Sequence, residues 1–412
     1  MAADGVLLVM GSGHQQYREY LLASAAEVAP VWLFDPQPPT WQQPYIQGST
    51  VFDVFDPVEA VLRAKELAAT TRILGVYCYH EGVISAAASV AAALELPGPT
   101  PAAVGNVRDK NATRELLTAA GFVQPRRALV RDLAEATAEA ERIGFPLVAK
   151  PRGLGASQGV IKVGSAAELA AAVEISRSAV QAGMDNSGGV LLEEYLTGPE
   201  ISIDAAVFEG EYLPYLVARK ELGPEPFFEE QGHRIDAEDP FLRDAELLAM
   251  VAEAHRVLGW THGMTHTEVK LTPRGPAIIE VNGRLGGDLI PYVGSLANGL
   301  DSGRISADVS LGVRPDLTPS RTGHTAIRFR YPPVDARVGT VRLPAADSVP
   351  GLVESVTLVG PGDELRLPPH GYVNRYGYLV ARGESAEDCR KTLEQAVAAT
   401  EFTFERLASP AA

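Results

Sequence analysis

THTEVKLTPRGPAIIEVNGRLGG, residues 265–287, is the stretch on which the reading of this chain turns. Two apolar, β-rich runs flank Pro273, Arg274 and Gly275, which predicts a hairpin. With the turn centred on Arg274, Glu268 pairs directly with Glu280. Residues two apart share a face, so Asn282 joins Glu280, and Arg284 follows if the strand continues. Like charges opposed across a hairpin are destabilising. They call for a cation, and two carboxylates plus an amide oxygen are hard donors suited to Mg²⁺ or Mn²⁺. Magnesium commonly shares its open positions with nucleotide phosphates. The structural alternative is an ion-pair network in which Lys270, on the Glu268 face, neutralises the pair.

Upstream, FPLVAKPRGLGASQGVIKV (residues 145–163) sets Lys150 at a strand end, ahead of Gly153, Gly155, Ser157 and Gly159. Glycines let a backbone approach phosphate oxygens closely and aim N–H groups at them. A P-loop would place its lysine after the glycines and open a helix. Here the run VIKV makes the loop a link between two strands. The sequence GSGHQQ, from Gly11, lacks the third glycine of a dinucleotide fingerprint. Residues 155–159 match G-x-S-x-G, yet a nucleophile elbow needs a helix after its serine, and a strand follows this one.

Outward from these motifs, the first hundred residues alternate strand and helix signals: GVLLVM, REYLLASAAEVA, VWLFD, DPVEAVLRAKELAA with Asp56 as N-cap, RILGVYCY, and a helix over 84–96. Such alternation predicts a parallel sheet covered by helices. LPGPTP, from Leu96, marks a boundary. A helix over 110–120, strands near 126–130 and 146–150, and an alanine-rich helix from Ala166 follow. Long β-rich runs begin at Val190. The last ninety residues mix short strands with turns and close on a helix over 386–407. The expected division is an α/β domain at 1–101, a linker helix and lid at 102–189, and a β-rich body with an accessory lobe at 190–412.

The 412 residues carry 36 Lys+Arg against 52 Asp+Glu, a formal net charge of −16. Such a surface repels nucleic-acid backbones and anionic lipid, so neither nucleic acid nor membrane is an expected partner. Cys78 and Cys389 are too few for a disulfide framework, which favours a reducing compartment. The N-terminus has no basic leader region, so a cytoplasmic location is expected. His262 and His266 have H-x-x-x-H spacing, but on a strand they lie about 13 Å apart, too far to share zinc. Glu193 and Glu194 point to opposite strand faces, so at most one is a direct ligand. Cys78 reads as a small buried hydrophobe without chemistry.

Taken in order, Asp109-Lys110, the Gly-rich loop and Glu280-Val281-Asn282-Gly283-Arg284 resemble the ATP-grasp superfamily of carboxylate–amine ligases. That resemblance implies a Rossmann-like N-terminal domain, a mobile lid and a β-rich body holding ATP between them. It assigns Lys110 and Lys150 to the phosphates, and Gly155, Ser157 and Gly159 to a loop closing over them. Glu193 and Leu196 would hold adenine, and Glu200 the ribose. Glu268, Glu280 and Asn282 match the magnesium ligands. Within the superfamily, HTEVK leading to EVNGRLGG and the segment Phe227–His233 resemble bacterial L-amino-acid ligases of the bacilysin-synthetase type. This narrower likeness places Arg284 and Gly287 against the reacting substrate, with Arg284 stabilising the tetrahedral oxyanion. Glu230 and His233 would line the amino-acid pocket, as residues that hold the ammonium and shape the second subsite.

The implied activity is an ADP-forming ligase. It would phosphorylate an amino-acid or related carboxylate with MgATP and couple it to an amine, giving an amide or dipeptide. Loading an amino acid onto a carrier protein, or binding ATP without turnover, are the alternatives. The expected partners are ATP and small carboxylate and amine substrates, with a second copy of the chain left open.

Overall fold

The computed structural model describes residues 4–408 and shows a mixed α/β chain built on four sheets. Met1–Ala3, the start of the N-terminus read for a leader, lie outside the described residues. The first sheet is parallel, in the order Gly48–Val51, Val31–Asp35, Val6–Met10, Ile73–Tyr77. Every residue of Val6–Met10 is buried, as an unbroken apolar run in a parallel sheet requires. Asp56 caps helix Pro57–Ala68 by accepting from the N–H groups of Val58 and Glu59. Helix Ile84–Ala93 ends three residues short of the expected Leu96. Strand Gly48–Val51 was not anticipated, because GSTV carries no apolar run to announce it.

The second sheet is antiparallel and orders Arg127–Val130, Val190–Glu194, Leu147–Pro151, Ile161–Val163. Strand Val190–Glu194, expected to open the body, is a central strand of this small sheet instead. Its Val190 and Leu192 fill the core beneath helices Leu133–Ile143 and Ala166–Ser178.

Eight antiparallel strands form the large sheet, in the order Gly275–Asn282, Gly263–Thr272, Glu200–Phe208, Glu211–Leu222, Glu230–Asp236, His324–Arg330, Gly377–Gly383, Leu352–Thr357. Helix Ala245–Leu258 packs on one face through Leu247 and Val251. The other face shares a core with the first sheet, in which Leu7, Val9 and Leu22 meet Ala206, Leu216 and Val293. The last sheet orders Glu364–Leu365, Ala336–Arg342, Glu401–Arg406. Thus the closing helix ends at Ala398, not near Leu407, and a strand follows. EFTFER alternates with period two, a strand signal, and Phe402 stacks on Tyr376 with centroids 4.2 Å apart. Among the described residues no helix is long and apolar enough to cross a membrane.

The decisive hairpin is tighter than expected. Thr272 pairs with Gly275, so the turn is the two-residue Pro273-Arg274. Continued without interruption, that register would set Glu268 against Ile279. A bulge at Ile279 intervenes: Val269 pairs with Ile278, and the next pair is Glu268 with Glu280. The two carboxylates therefore do oppose each other, through a bulge that compensates a shorter turn.

Candidate active site

Arg114, on helix Lys110–Ala119, holds the bulge. Its guanidinium donates to the carbonyls of both Ile278 and Ile279, at 2.8 and 2.7 Å. The same side chain pairs with Glu193 at 2.6 Å, and Lys150 Nζ reaches the other Glu193 oxygen at 2.6 Å. Burial alone would raise the Glu193 pKa, but Arg114 and Lys150 outweigh it and bring the carboxyl to about 2. Lys150 is itself lowered, chiefly by burial, with Glu193 opposing. Glu194 faces the other way, toward Arg126 and Arg274, so the pair divides as strand geometry predicts.

Lys110 opens its helix behind the Asp109 cap. Its ammonium lies 2.8 Å from Glu280 Oε1 and donates to the Leu154 carbonyl in the Gly-rich loop. Ala156 and Ser157 in that loop adopt φ of +53° and +54°, and Gly159 +71°. The Gly155 N–H donates to the Gln181 side-chain oxygen at 2.9 Å, and Ser176 Oγ donates to the Gly159 carbonyl. Three glycines leave few side chains to pin this loop. Its amides should exchange with solvent quickly alone and slowly with ATP, and equally slow exchange in both states would speak against closure over a nucleotide.

Across the hairpin, Lys220 is the hub that sequence reading missed. Only 3% exposed, its Nζ lies 3.0 Å from Glu200, 2.7 Å from Glu230 and 2.8 Å from Glu268. Lys270 does not neutralise Glu268; it pairs with Glu200 at 3.1 Å. Glu268 also has His266 Nε2 at 3.6 Å, while His266 Nδ1 pairs with Asp204 at 2.5 Å. Burial opposes the His266 charge, yet Asp204 and Glu268 prevail and raise it to about 9. The same cations, Lys220 first, overcome burial to hold Glu268 well below the usual carboxylate range. Glu230 goes the other way: burial outweighs Lys220 and lifts it to about 8. Asp204 accepts the Gly286 N–H at 3.0 Å as well, which ties His266 to the segment after Arg284.

Lys220→Met would leave Glu200, Glu230 and Glu268 facing one another without their shared cation. Breaking a buried pair typically costs about 3–5 kcal/mol, so the melting midpoint should fall sharply. Adding Glu230→Gln should recover part of the loss. Equal midpoints for wild type and Lys220→Met would remove the hub from the account of stability.

Arg284 does not point at the carboxylate pair. Its Nε lies 2.5 Å from Glu81 Oε2, and Nη1 donates to the Leu285 carbonyl at 2.7 Å. Arg108 takes the other Glu81 oxygen at 2.9 Å. Burial pushes Glu81 up, but Arg284 and Arg108 bring it down to about 2. Glu81 lies just past strand Ile73–Tyr77, at the carboxyl end of a parallel sheet. Ligand-binding residues collect at that place, a signal that could have found it.

His233 is fully buried beside Glu230, with 3.9 Å between Nδ1 and Oε2. Space is open around Gly287, and Leu196 is buried at the end of the small sheet. The structure thus joins Lys110 to Glu280, Lys150 to Glu193, and Glu200, Glu230 and Glu268 to one another. His262 and His266 have separate partners, the Val309 carbonyl and Asp204. Cys78 is half-buried and donates only to the His80 carbonyl.

Two opposed carboxylates between a Gly-rich loop and a lysine-rich sheet thus sit in a chain with the ATP-grasp fold. The family model described as ATP-grasp domain matches residues 143–292. The family model described as L-amino acid ligase C-terminal domain 2 matches residues 328–405. A D-alanine–D-alanine ligase of Cupriavidus metallidurans is 30% identical over 224 residues, 52% of this chain and 65% of that protein. Carnosine synthase 1 of Gallus gallus is 30% identical over 257 residues, 59% of this chain and 28% of that one. The chain therefore spans less than two thirds of each. The crystal structure of an L-amino acid ligase from Bacillus licheniformis superposes with a TM-score of 0.81 at 19% identity, covering 98% of this chain and all of that one, a likeness of fold. ATP-grasp proteins as a family use ATP and Mg²⁺.

Proposed function

We propose that the chain activates the carboxylate of an amino acid with ATP and joins it to an amine, releasing ADP and phosphate. The observation that carries this reading is the Glu268–Glu280 pair, set between Lys110 and Lys220 and next to the buried Glu230–His233 pair. The residues suit magnesium. Glu268, Glu280 and Asn282 offer hard oxygen donors from adjacent strands, and lysines now stand against both carboxylates as a metal ion would. Bound there, the ion would neutralise phosphate charge during transfer.

The chain's own groups do the rest. In the first step the γ-phosphoryl group moves from ATP to a carboxylate oxygen, forming an acyl phosphate and ADP. In the second, the amine nitrogen attacks the acyl carbon, the bond to phosphate breaks, and the nitrogen loses a proton. Lys110 and Lys150, at present on Glu280 and Glu193, supply positive charge to the phosphates, and the loop at Gly155, Ser157 and Gly159 shields them from water. Glu193 and Leu196 border the adenine, and Glu200 the ribose. Glu230 receives the ammonium of the activated amino acid. Lys220 holds one oxygen of this carboxyl, and the other, Oε2, is buried without a partner, which leaves it for an ammonium. His233 shapes the same pocket, Gly287 leaves room at its floor, and Arg284 stabilises the oxyanion. The small sheet with its helices acts as the lid, and the large sheet as the body.

An ADP-release assay over a panel of amino-acid pairs tests this. ADP formation that depends on two amino acids supports it. Silence on every pair, with ATP still bound, would overturn it in favour of a nucleotide-binding module.

A further inference from the structure

The C-terminal lobe delivers one buried cation to the pocket beside His233. Arg375 sits in the loop before strand Gly377–Gly383, and its side chain is 1% exposed. Each edge of its guanidinium is used. Nη1 pairs with Asp288 at 2.6 Å, Nε donates to Tyr331 Oη at 2.6 Å, and Nη2 donates to the Glu230 carbonyl at 3.3 Å. The flat face lies over the Phe329 ring, 3.6 Å from its centroid. Tyr331 Oη donates to the same Glu230 carbonyl at 3.1 Å. One side chain thus joins the strand carrying Glu230, the segment just past Gly287, and the C-terminal lobe.

What this leaves is a set of unspent polar atoms. Glu230 Oε2 and both ring nitrogens of His233 are buried without a partner. Ligand atoms of Glu230, His233 and Asp288 all lie within 4.8 Å of one another. Asp288 adopts φ of +51°, a conformation that a non-glycine residue holds only when its surroundings impose it. Two acids therefore border the space, and Arg375 cancels the charge of one of them.

We propose that Arg375 is the positioning and specificity-determining residue of the amino-acid pocket. Lys220 holds Glu230 Oε1 and Arg375 holds Asp288, so one carboxylate oxygen, Glu230 Oε2, is left for an ammonium group, and the pocket selects amino acids bearing one ammonium over those bearing two. This inference rests on the amino-acid-ligase reading. The discrimination is electrostatic: with Asp288 neutralised, a second ammonium enters the buried space unpaired.

The test compares kcat/KM for L-ornithine with that for the best neutral amino acid of the panel. In Arg375→Gln the ratio of ornithine to neutral substrate should rise by about tenfold or more, because a like-charge clash is replaced by a free acid. It should fall back in Arg375→Gln/Asp288→Asn, with the KM for ATP unchanged throughout. Should Arg375→Gln not fold, Arg375→Lys keeps the charge on Asp288 but loses Tyr331 and Glu230. It should raise the amino-acid KM while the substrate ratio and the KM for ATP hold. A purely structural arginine would lower the melting midpoint without changing the ratio, and that outcome, or an unchanged amino-acid KM in Arg375→Lys, overturns the proposal. A wild type silent on the whole panel overturns the ligase reading and this inference together; an active wild type with indifferent Arg375 variants overturns the inference alone.

Discussion

Glu280→Gln is expected to lower turnover in Mg²⁺ by about 10³-fold, since a metal's charge stabilisation is worth several kcal/mol at tenfold per about 1.4 kcal/mol. The substitution keeps the shape of the side chain and removes the charge that would hold the ion. From the opposed carboxylates alone, the apo protein should keep its stability or gain some, because a like-charge pair is relieved. The structure reverses that second expectation. Glu280 already has Lys110 at 2.8 Å, and that lysine is only 8% exposed. Glutamine can still accept from that ammonium, as the Leu154 carbonyl does, but it no longer offers the negative charge that balances it. Hydrogen bonds to charged groups are worth about 1.5–3 kcal/mol, so the melting midpoint of the apo variant should fall by a few degrees. Turnover near the wild-type level in saturating ATP would strip Glu280 of its place at the metal. An apo midpoint that rises would instead show that Lys110 does not compensate the pair in solution.

The hairpin shows how far sequence reading reaches and where it stops. The pairing of Glu268 with Glu280 was legible, but the route to it was not. A turn one residue shorter and a bulge at Ile279 cancel, and only the Ile278-Ile279 doublet, which breaks the apolar alternation, hints at the bulge. Apolar runs such as Val6–Met10 declared themselves because both faces of a parallel sheet are covered. Strand Val190–Glu194 was recognised but assigned to the wrong sheet, since an apolar run does not name its neighbours. At the site, lysines next to glycines and acids facing acids carry a local pattern. Lys220 carries none. Its three partners come from three different strands, and nothing near it in the chain sets it apart from a solvated lysine. Arg114, Glu81 and Arg375 are hidden for the same reason, each acting on residues distant in the chain.

Arg284→Lys should cost about 10²–10³ in kcat, the usual loss when an oxyanion donor is removed, while the KM for ATP changes little. In the structure Arg284 spends Nε on Glu81 and Nη1 on the Leu285 carbonyl, so it is anchored in the resting state and not aimed at the carboxylate pair. An anchor on a surface acid would be worth about 0–1 kcal/mol, and its loss would pass unnoticed. Glu81 is no surface acid: it is shielded from solvent, held to about 2, and shared with Arg108. Both roles therefore predict a measurable defect, and what separates them is which quantity moves. Lysine preserves a positive charge for Glu81 but cannot serve Glu81, the Leu285 carbonyl and an oxyanion at once, because it lacks the planar fork. If Arg284 acts on the oxyanion, kcat falls while the melting midpoint stays close to wild type. If it only fastens the loop after Asn282 to the N-terminal sheet, the midpoint falls, and kcat per folded molecule at saturating substrates is preserved. Measured together, those two numbers decide whether Arg284 leaves Glu81 during the reaction or stays with it.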